Sequence, residues 1–243
     1  MNDTPPATVP PINIAPVAPP AAPPGPIPEE QAPIGGLTDA FESLLRRPRR
    51  VMCQLRQPDA GRLIRLLLTL TLGCAAIYGL VAGTFSGGTQ LWAAPVKIAG
   101  GLLGAALICL PSLHIFACLG GSPARLSETA GLVSGLLALM TILLVGFAPV
   151  AWVFSQSTES VAAIGALHLV FASVALFFGL RFLVAGFAGL GVQSRAGLNV
   201  WIVVFLLVLL QMTTALRPIV GTGDTILPTQ KKFFVVHWTD CLQ

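Results

Sequence analysis

The stretch Ala130-Gly131-Leu132-Val133-Ser134-Gly135-Leu136-Leu137-Ala138-Leu139-Met140-Thr141-Ile142-Leu143-Leu144-Val145-Gly146-Phe147-Ala148-Pro149-Val150-Ala151-Trp152-Val153-Phe154 contains no ionisable side chain. At 1.5 Å per residue, roughly 20 such residues cross about 30 Å of hydrocarbon as a helix. Residues 130–154 are therefore predicted to span a bilayer. Segments of the same character near 64–84, 94–119, 162–190 and 199–220 extend the reading to an all-α integral membrane protein, a five-transmembrane-helix bundle. The breaks at Ser86-Gly87-Gly88, Gly120-Gly121-Ser122-Pro123, Ser155-Gln156-Ser157-Thr158-Glu159 and Gln193-Ser194-Arg195 are short, so consecutive helices must run antiparallel.

Composition agrees. Of 243 residues, 10% are charged and 54% hydrophobic, with a mean hydropathy of +0.81. A soluble domain has roughly a quarter of its residues charged, so that class is excluded. From Leu66 to Val220 the ionisable Lys, Arg, Asp and Glu are only Lys97, Arg125, Arg181, Arg195, Arg217, Glu128 and Glu159.

Four regions follow. Residues 1–36 form a Pro/Ala-rich tail with polyproline II character, expected to be disordered and cytosolic, and preceded by no signal peptide. Pro16, Pro19, Pro20, Pro23 and Pro26 have P-x-x-P spacing, which the composition alone also generates; a spacer is the plainer reading. Residues 37–62 form a basic amphipathic juxtamembrane segment, in which Leu37, Phe41, Leu44 and Leu45 share a helical face. Thr38 is placed as an N-cap, Pro48 should break or bend the helix, and Arg46, Arg47, Arg49 and Arg50 crowd its end. Such a helix suits an anionic leaflet, whereas nucleic-acid binding lacks the aromatic readers it needs. Residues 63–220 form the membrane domain. Residues 221–243 form an external tail in which Lys231, Lys232 and Trp238 are expected to anchor at the headgroup layer.

The Lys and Arg distribution sets the orientation. The N-terminal region together with Arg125 and Arg195 collects nine basic residues, or ten with Arg181, while Lys97, Arg217, Lys231 and Lys232 lie opposite. The N-terminus is expected inside and the C-terminus outside, in a bacterial inner (plasma) membrane.

Ionisable groups within spans are functional candidates. Lys97, about three residues into its predicted helix, should snorkel outward, and Arg181 should reach the inner interface. The predicted spans hold no Asp or Glu, which disfavours proton relays and carboxylate cation sites. His114 and His168 are separated by roughly 20 Å in depth, too far to share a metal or haem, and each is expected to bond a carbonyl or hydroxyl. No G-x-S-x-G, H-E-x-x-H or phosphate loop occurs. Ser134 and Ser173 have no distinguishing surroundings as nucleophiles. No enzyme, metal or cofactor is expected. Cys53, Cys74, Cys109, Cys118 and Cys241 show no C-x-x-C spacing; Cys241 reads as a free external thiol or an interchain partner.

Small residues recur at helix-packing spacing: Ala75, Gly79 and Gly83, then Gly100 and Gly104, Gly131 and Gly135, and Ala175 and Gly179. They predict close intramolecular packing, with dimerisation as the other reading. Pro111 and Pro149 should lie near helix ends, unlike the broken helices of transporter sites.

The Phe41-Glu42-Ser43-Leu44-Leu45-Arg46-Arg47-Pro48 segment, the Tyr78-Gly79-Leu80 and Ser86-Gly87-Gly88 run, the His114-Ile115-Phe116-Ala117-Cys118-Leu119-Gly120-Gly121 span ending and the five spans together resemble the Ypt/Rab-interacting (YIP) family in its divergent bacterial form. The likeness covers about residues 38–215. The Asp-Leu-Tyr-Gly-Pro type motif of eukaryotic members is absent. The resemblance implies a non-enzymatic role in membrane organisation, trafficking or assembly of partner proteins. Membrane lipid and a protein partner are the expected ligands, contacted through Arg46, Arg47, Arg49 and Arg50, with an oligomer left open. The alternative is a solute-conducting or transporter subunit, with a homo-oligomer whose path runs between copies as one form of it.

Overall fold

The structure is a computed structural model that describes residues 32–215 apart from 87, 89, 159 and 193. The P-x-x-P prolines, Arg217, Lys231, Lys232, Trp238 and Cys241 lie outside the described residues. Seven helices and no strand occur among those described: α1 (Leu37–Arg46), α2 (Pro48–Leu55), α3 (Ala60–Ser86), α4 (Gln90–Leu119), α5 (Leu126–Ser157), α6 (Val161–Gly189) and α7 (Ala196–Ala215). The last five are long and apolar enough to cross a membrane, so the chain is an all-α integral membrane bundle of five spans.

α3 and α5 form its centre and pack extensively on each other; α4 flanks α3, α6 flanks α5, and α7 lies outermost against α4. Alternation of direction follows from the short turns. The starts of α3, α5 and α7 and the ends of α4 and α6 therefore share one end, which carries the clustered arginines. α5 is the most buried span and α7 the least.

Glycines explain how α3, α5 and their neighbours come so close. A Cβ on Gly79 would run into the Pro95 backbone, so α3 and α4 cross almost backbone to backbone. A Cβ on Gly135 would meet Phe182, one on Gly179 would lie 3.2 Å from the Leu136 carbonyl oxygen, and one on Gly186 would strike Leu132. These three seat α6 on α5. Without a hydrophobic drive between spans in lipid, such close van der Waals contact is what holds them.

Polar groups reinforce the seams. Tyr78 of α3 and His168 of α6 share a hydrogen bond of 2.6 Å, with their rings edge to face at 5.5 Å. Trp201 of α7 is fully buried, stacks on Phe205, and donates from Nε1 to the Cys109 carbonyl of α4 at 2.8 Å. Thr71 and Thr141 donate to carbonyls of their own helices. Among the described residues no buried side-chain nitrogen or oxygen lacks a partner, as a low-dielectric interior demands.

Several expectations need correction. α1 is capped at Gly36, not Thr38, and Asp39 accepts from the Gly35 N–H at 3.0 Å. α4 begins at Gln90, which places Pro95 inside the helix and Lys97 two turns along it. Lys97 is only 3% exposed and is not without a partner, so protein covers it where a side chain reaching out to solvent would be open. Pro48 does end α1, standing as the first residue of α2.

Candidate functional site

The basic end of the bundle carries Arg46, Arg47, Arg49 and Arg50, and two substructures organise it. One is the α1–α2 hairpin. The other is formed by the α4–α5 and α6–α7 turns.

α1 and α2 do not lie loosely on a surface. Ala40 and Leu44 of α1 and Val51 and Leu55 of α2 are buried, and Leu55 fills the space that Gly131 leaves on α5. What lies nearest Gly131 is thus the hairpin. Arg50 locks the hairpin. Its Nη1 donates to Asp39 Oδ1 at 2.8 Å and to Ser43 Oγ at 3.0 Å, and its Nη2 donates to Asp39 Oδ2 at 3.2 Å. Its Nε and Nη2 also reach the carbonyls of Ala32 and Pro33 at 3.0 and 3.2 Å. Gln54 accepts from the Ile34 N–H at 3.1 Å, and Arg62 donates to the Gly35 carbonyl at 2.9 Å. Residues 32–35 are therefore strapped across the hairpin.

Burial pushes the Asp39 carboxyl up, but the bonds from Gly35, Arg50 and Ser43 and the Arg50 charge outweigh it and hold the group below its ordinary value.

The other arginines are placed differently. Arg46 is exposed and pairs with Glu42 at 3.1 Å, a pair of small energetic weight at such exposure. Arg47 and Arg49 are exposed, and Arg47 is not without a partner. Leu37, Phe41 and Leu45 form a second apolar stripe on α1, outside the docked face and each more than 40% exposed. α1 thus offers one apolar edge to the bundle, a second to its surroundings, and a charged edge beyond.

The two turns close the same end. Gly121 (φ 82°) and Gly191 (φ 78°) take the left-handed conformation that ends α4 and α6. Ser122 Oγ donates to the Leu190 carbonyl at 3.3 Å, and the Ser194 N–H to the Gly120 carbonyl at 3.5 Å, so the turns brace each other. This fixes Arg195, the residue before α7, beside the outward face of α6. Arg181 stands on that face, and Arg181 and Arg195 both line one shallow recess of about 330 Å³. Sequence reasoning treated the two separately; their spacing across a turn gave no sign that they converge.

The remaining candidates disperse. Gly83 is buried, a Cβ on Gly104 would lie an ordinary 3.8 Å from Met212 Cε, and Gly100 is exposed with open space where its Cβ would be. His114 Nδ1 bonds Thr129 Oγ1 at 3.3 Å and its Nε2 lies 3.8 Å from Cys118 Sγ. Each histidine thus meets a hydroxyl, as expected. Among the described residues, no three His, Cys, Asp or Glu side chains gather into a metal group. At the opposite end Trp92, Trp152 and Phe154 are strongly exposed, an aromatic rim unnoticed in the sequence reading.

No family model, curated protein or solved structure matches the chain.

Proposed function

We propose that the chain is a non-enzymatic polytopic membrane protein that organises the membrane or assembles partner proteins, with its basic end applied to the anionic cytoplasmic leaflet of a bacterial inner membrane. The observation that carries this reading is the α1–α2 hairpin. Its docked face fixes it to the bundle, while Leu37, Phe41 and Leu45 stay outward beside Arg46 and Arg49. An apolar stripe flanked by arginines suits the boundary between headgroups and acyl chains. Arg50, turned inward onto Asp39, serves this contact by holding the hairpin, and the outward arginines make it. A role in assembly is also what the YIP resemblance implies.

The test is hydrogen exchange of residues 37–55 in nanodiscs. With phosphatidylglycerol present, protection should exceed that in phosphatidylcholine alone, and combined Arg46→Glu, Arg47→Glu and Arg49→Glu substitution should erase the difference. Equal protection in both lipids would count against the reading.

Buried Lys97 favours a second reading, a solute-conducting subunit, because a cation inside a span is commonly part of a pathway. Solute flux in proteoliposomes that disappears with Lys97→Met, in protein of unchanged thermal stability, would support it.

A further inference from the structure

The face of α6 bearing Phe177, Arg181, Val184 and Ala188 is opposite the face, with Gly179, Phe182 and Gly186, that packs on α5. The recess on this outward face is apolar apart from Arg181 and Arg195. Neither arginine's side chain has a hydrogen-bonding or ionic partner among the described residues. Two arginines lining one recess on the outward face of α6 leave a double positive charge uncompensated by the described residues.

Depth narrows what compensates it. Arg181 follows Val161, the first residue of α6, by twenty positions, which is about 30 Å of helix and about the thickness of the hydrocarbon core. A helix entering at the far interface brings Arg181 to the level where acyl chains give way to phosphates. Arg195 approaches from the turn below. Above them, Val170, Val174 and Phe177 continue an exposed apolar track along α6. The order is therefore cations at the headgroup level and an apolar track at the acyl level.

We propose that this recess is a binding site for one anionic glycerophospholipid, its phosphate held between Arg181 and Arg195 and its acyl chain lying along α6 over Phe177, Val174 and Val170. A guanidinium presents paired N–H donors to phosphate oxygens, and at this level the interaction is only partly screened by water. Charge complementarity selects an anionic headgroup, and the apolar track selects a lipid over a soluble phosphate. The inference rests on the bilayer placement but not on the hairpin contact proposed above.

The test uses the full chain in nanodiscs of mixed phosphatidylglycerol and phosphatidylcholine, with native mass spectrometry of retained lipid. Wild type should retain phosphatidylglycerol preferentially. Arg181→Gln and Arg195→Gln should each lower that preference about fivefold, the effect expected of one arginine near a charged leaflet, and the double variant should abolish it. Unchanged thermal midpoints show that the variants remain folded; should one fail to fold, Arg181→Lys and Arg195→Lys replace it and should keep a weakened preference. Arg46→Gln with Arg49→Gln should leave retention unchanged, which separates this site from the hairpin. Equal retention by wild type and the double variant would overturn the proposal. So would displacement of the lipid by millimolar inorganic phosphate or glycerophosphoglycerol, which would mark a free-anion site.

Discussion

At the scale of single residues, Asp39 and Arg50 illustrate how a charge is diverted from the surface. Sequence alone put Arg50 in a run of four arginines with equal claim on the membrane; the structure turns one of them inward onto a carboxylate eleven residues earlier. The spacing carried no helical regularity because Pro48 and the α1–α2 bend intervene. Arg50→Ala is expected to destabilise the hairpin by about 2 kcal/mol, the range for hydrogen bonds to charged groups, and Arg46→Ala by less than about 0.5 kcal/mol; hydrogen exchange in residues 37–55 distinguishes them. The depressed Asp39 value also fixes a pH dependence. The folded value lies below the unfolded one, so the stabilisation is complete above the ordinary carboxylate range near about pH 4 and is lost as pH falls through the folded value. Hairpin protection should be flat from neutral pH to about pH 5 and decline below about pH 4, and Asp39→Asn should remove that decline. Tyr78, the chain's only tyrosine, offers a second residue-scale measurement. Tyr78→Phe should lower stability in detergent by about 0.6 kcal/mol, the usual yield of an interhelical bond in a membrane protein, and the double variant with His168→Ala should show that the two effects are coupled.

At the scale of elements, five spans were legible because twenty apolar residues in a row have few alternatives. Their ends were not, since helices project beyond the hydrocarbon: α5 runs from Leu126 to Ser157 where residues 130–154 were expected. That extension matters at α4, whose earlier start carries Pro95 and Lys97 inside. Small-residue spacing identified packing faces only in part. Gly79, Gly135 and Gly179 meet a neighbouring span, Gly131 meets the hairpin, and Gly100 meets nothing, because spacing locates a face without saying what covers it. Gly79→Ala forces a methyl into the Pro95 backbone and should cost about 1–3 kcal/mol, the range for overpacking. Gly100→Ala, with open space, should leave the thermal midpoint unchanged or slightly raised. If both behave alike, the α3–α4 crossing is not as close as described.

At the scale of the whole molecule, the two ends are chemically distinct. One end gathers arginines, braced turns and the docked hairpin; the other carries exposed Trp92, Trp152 and Phe154. Charge distribution was legible in the sequence, whereas the convergence of Arg181 with Arg195 was not, because it depends on how two turns brace each other. We propose that the basic end faces the cytoplasm. Cys118 is exposed at that end and Cys53 is partly exposed there, so an impermeant thiol reagent added to intact cells should spare both and label them after lysis. Labelling of either in intact cells would reverse the orientation.

The strap over the hairpin has a mechanical consequence. Arg50, Gln54 and Arg62 clamp residues 32–35 by their backbone, so side chains from two helices fix the point at which this segment leaves the bundle. A pull applied at residue 32 is borne first by Arg50 and its Asp39 pair, before it reaches the spans. Arg50→Ala should therefore speed amide exchange at Ile34 and Gly35 while exchange in α3–α7 stays unchanged.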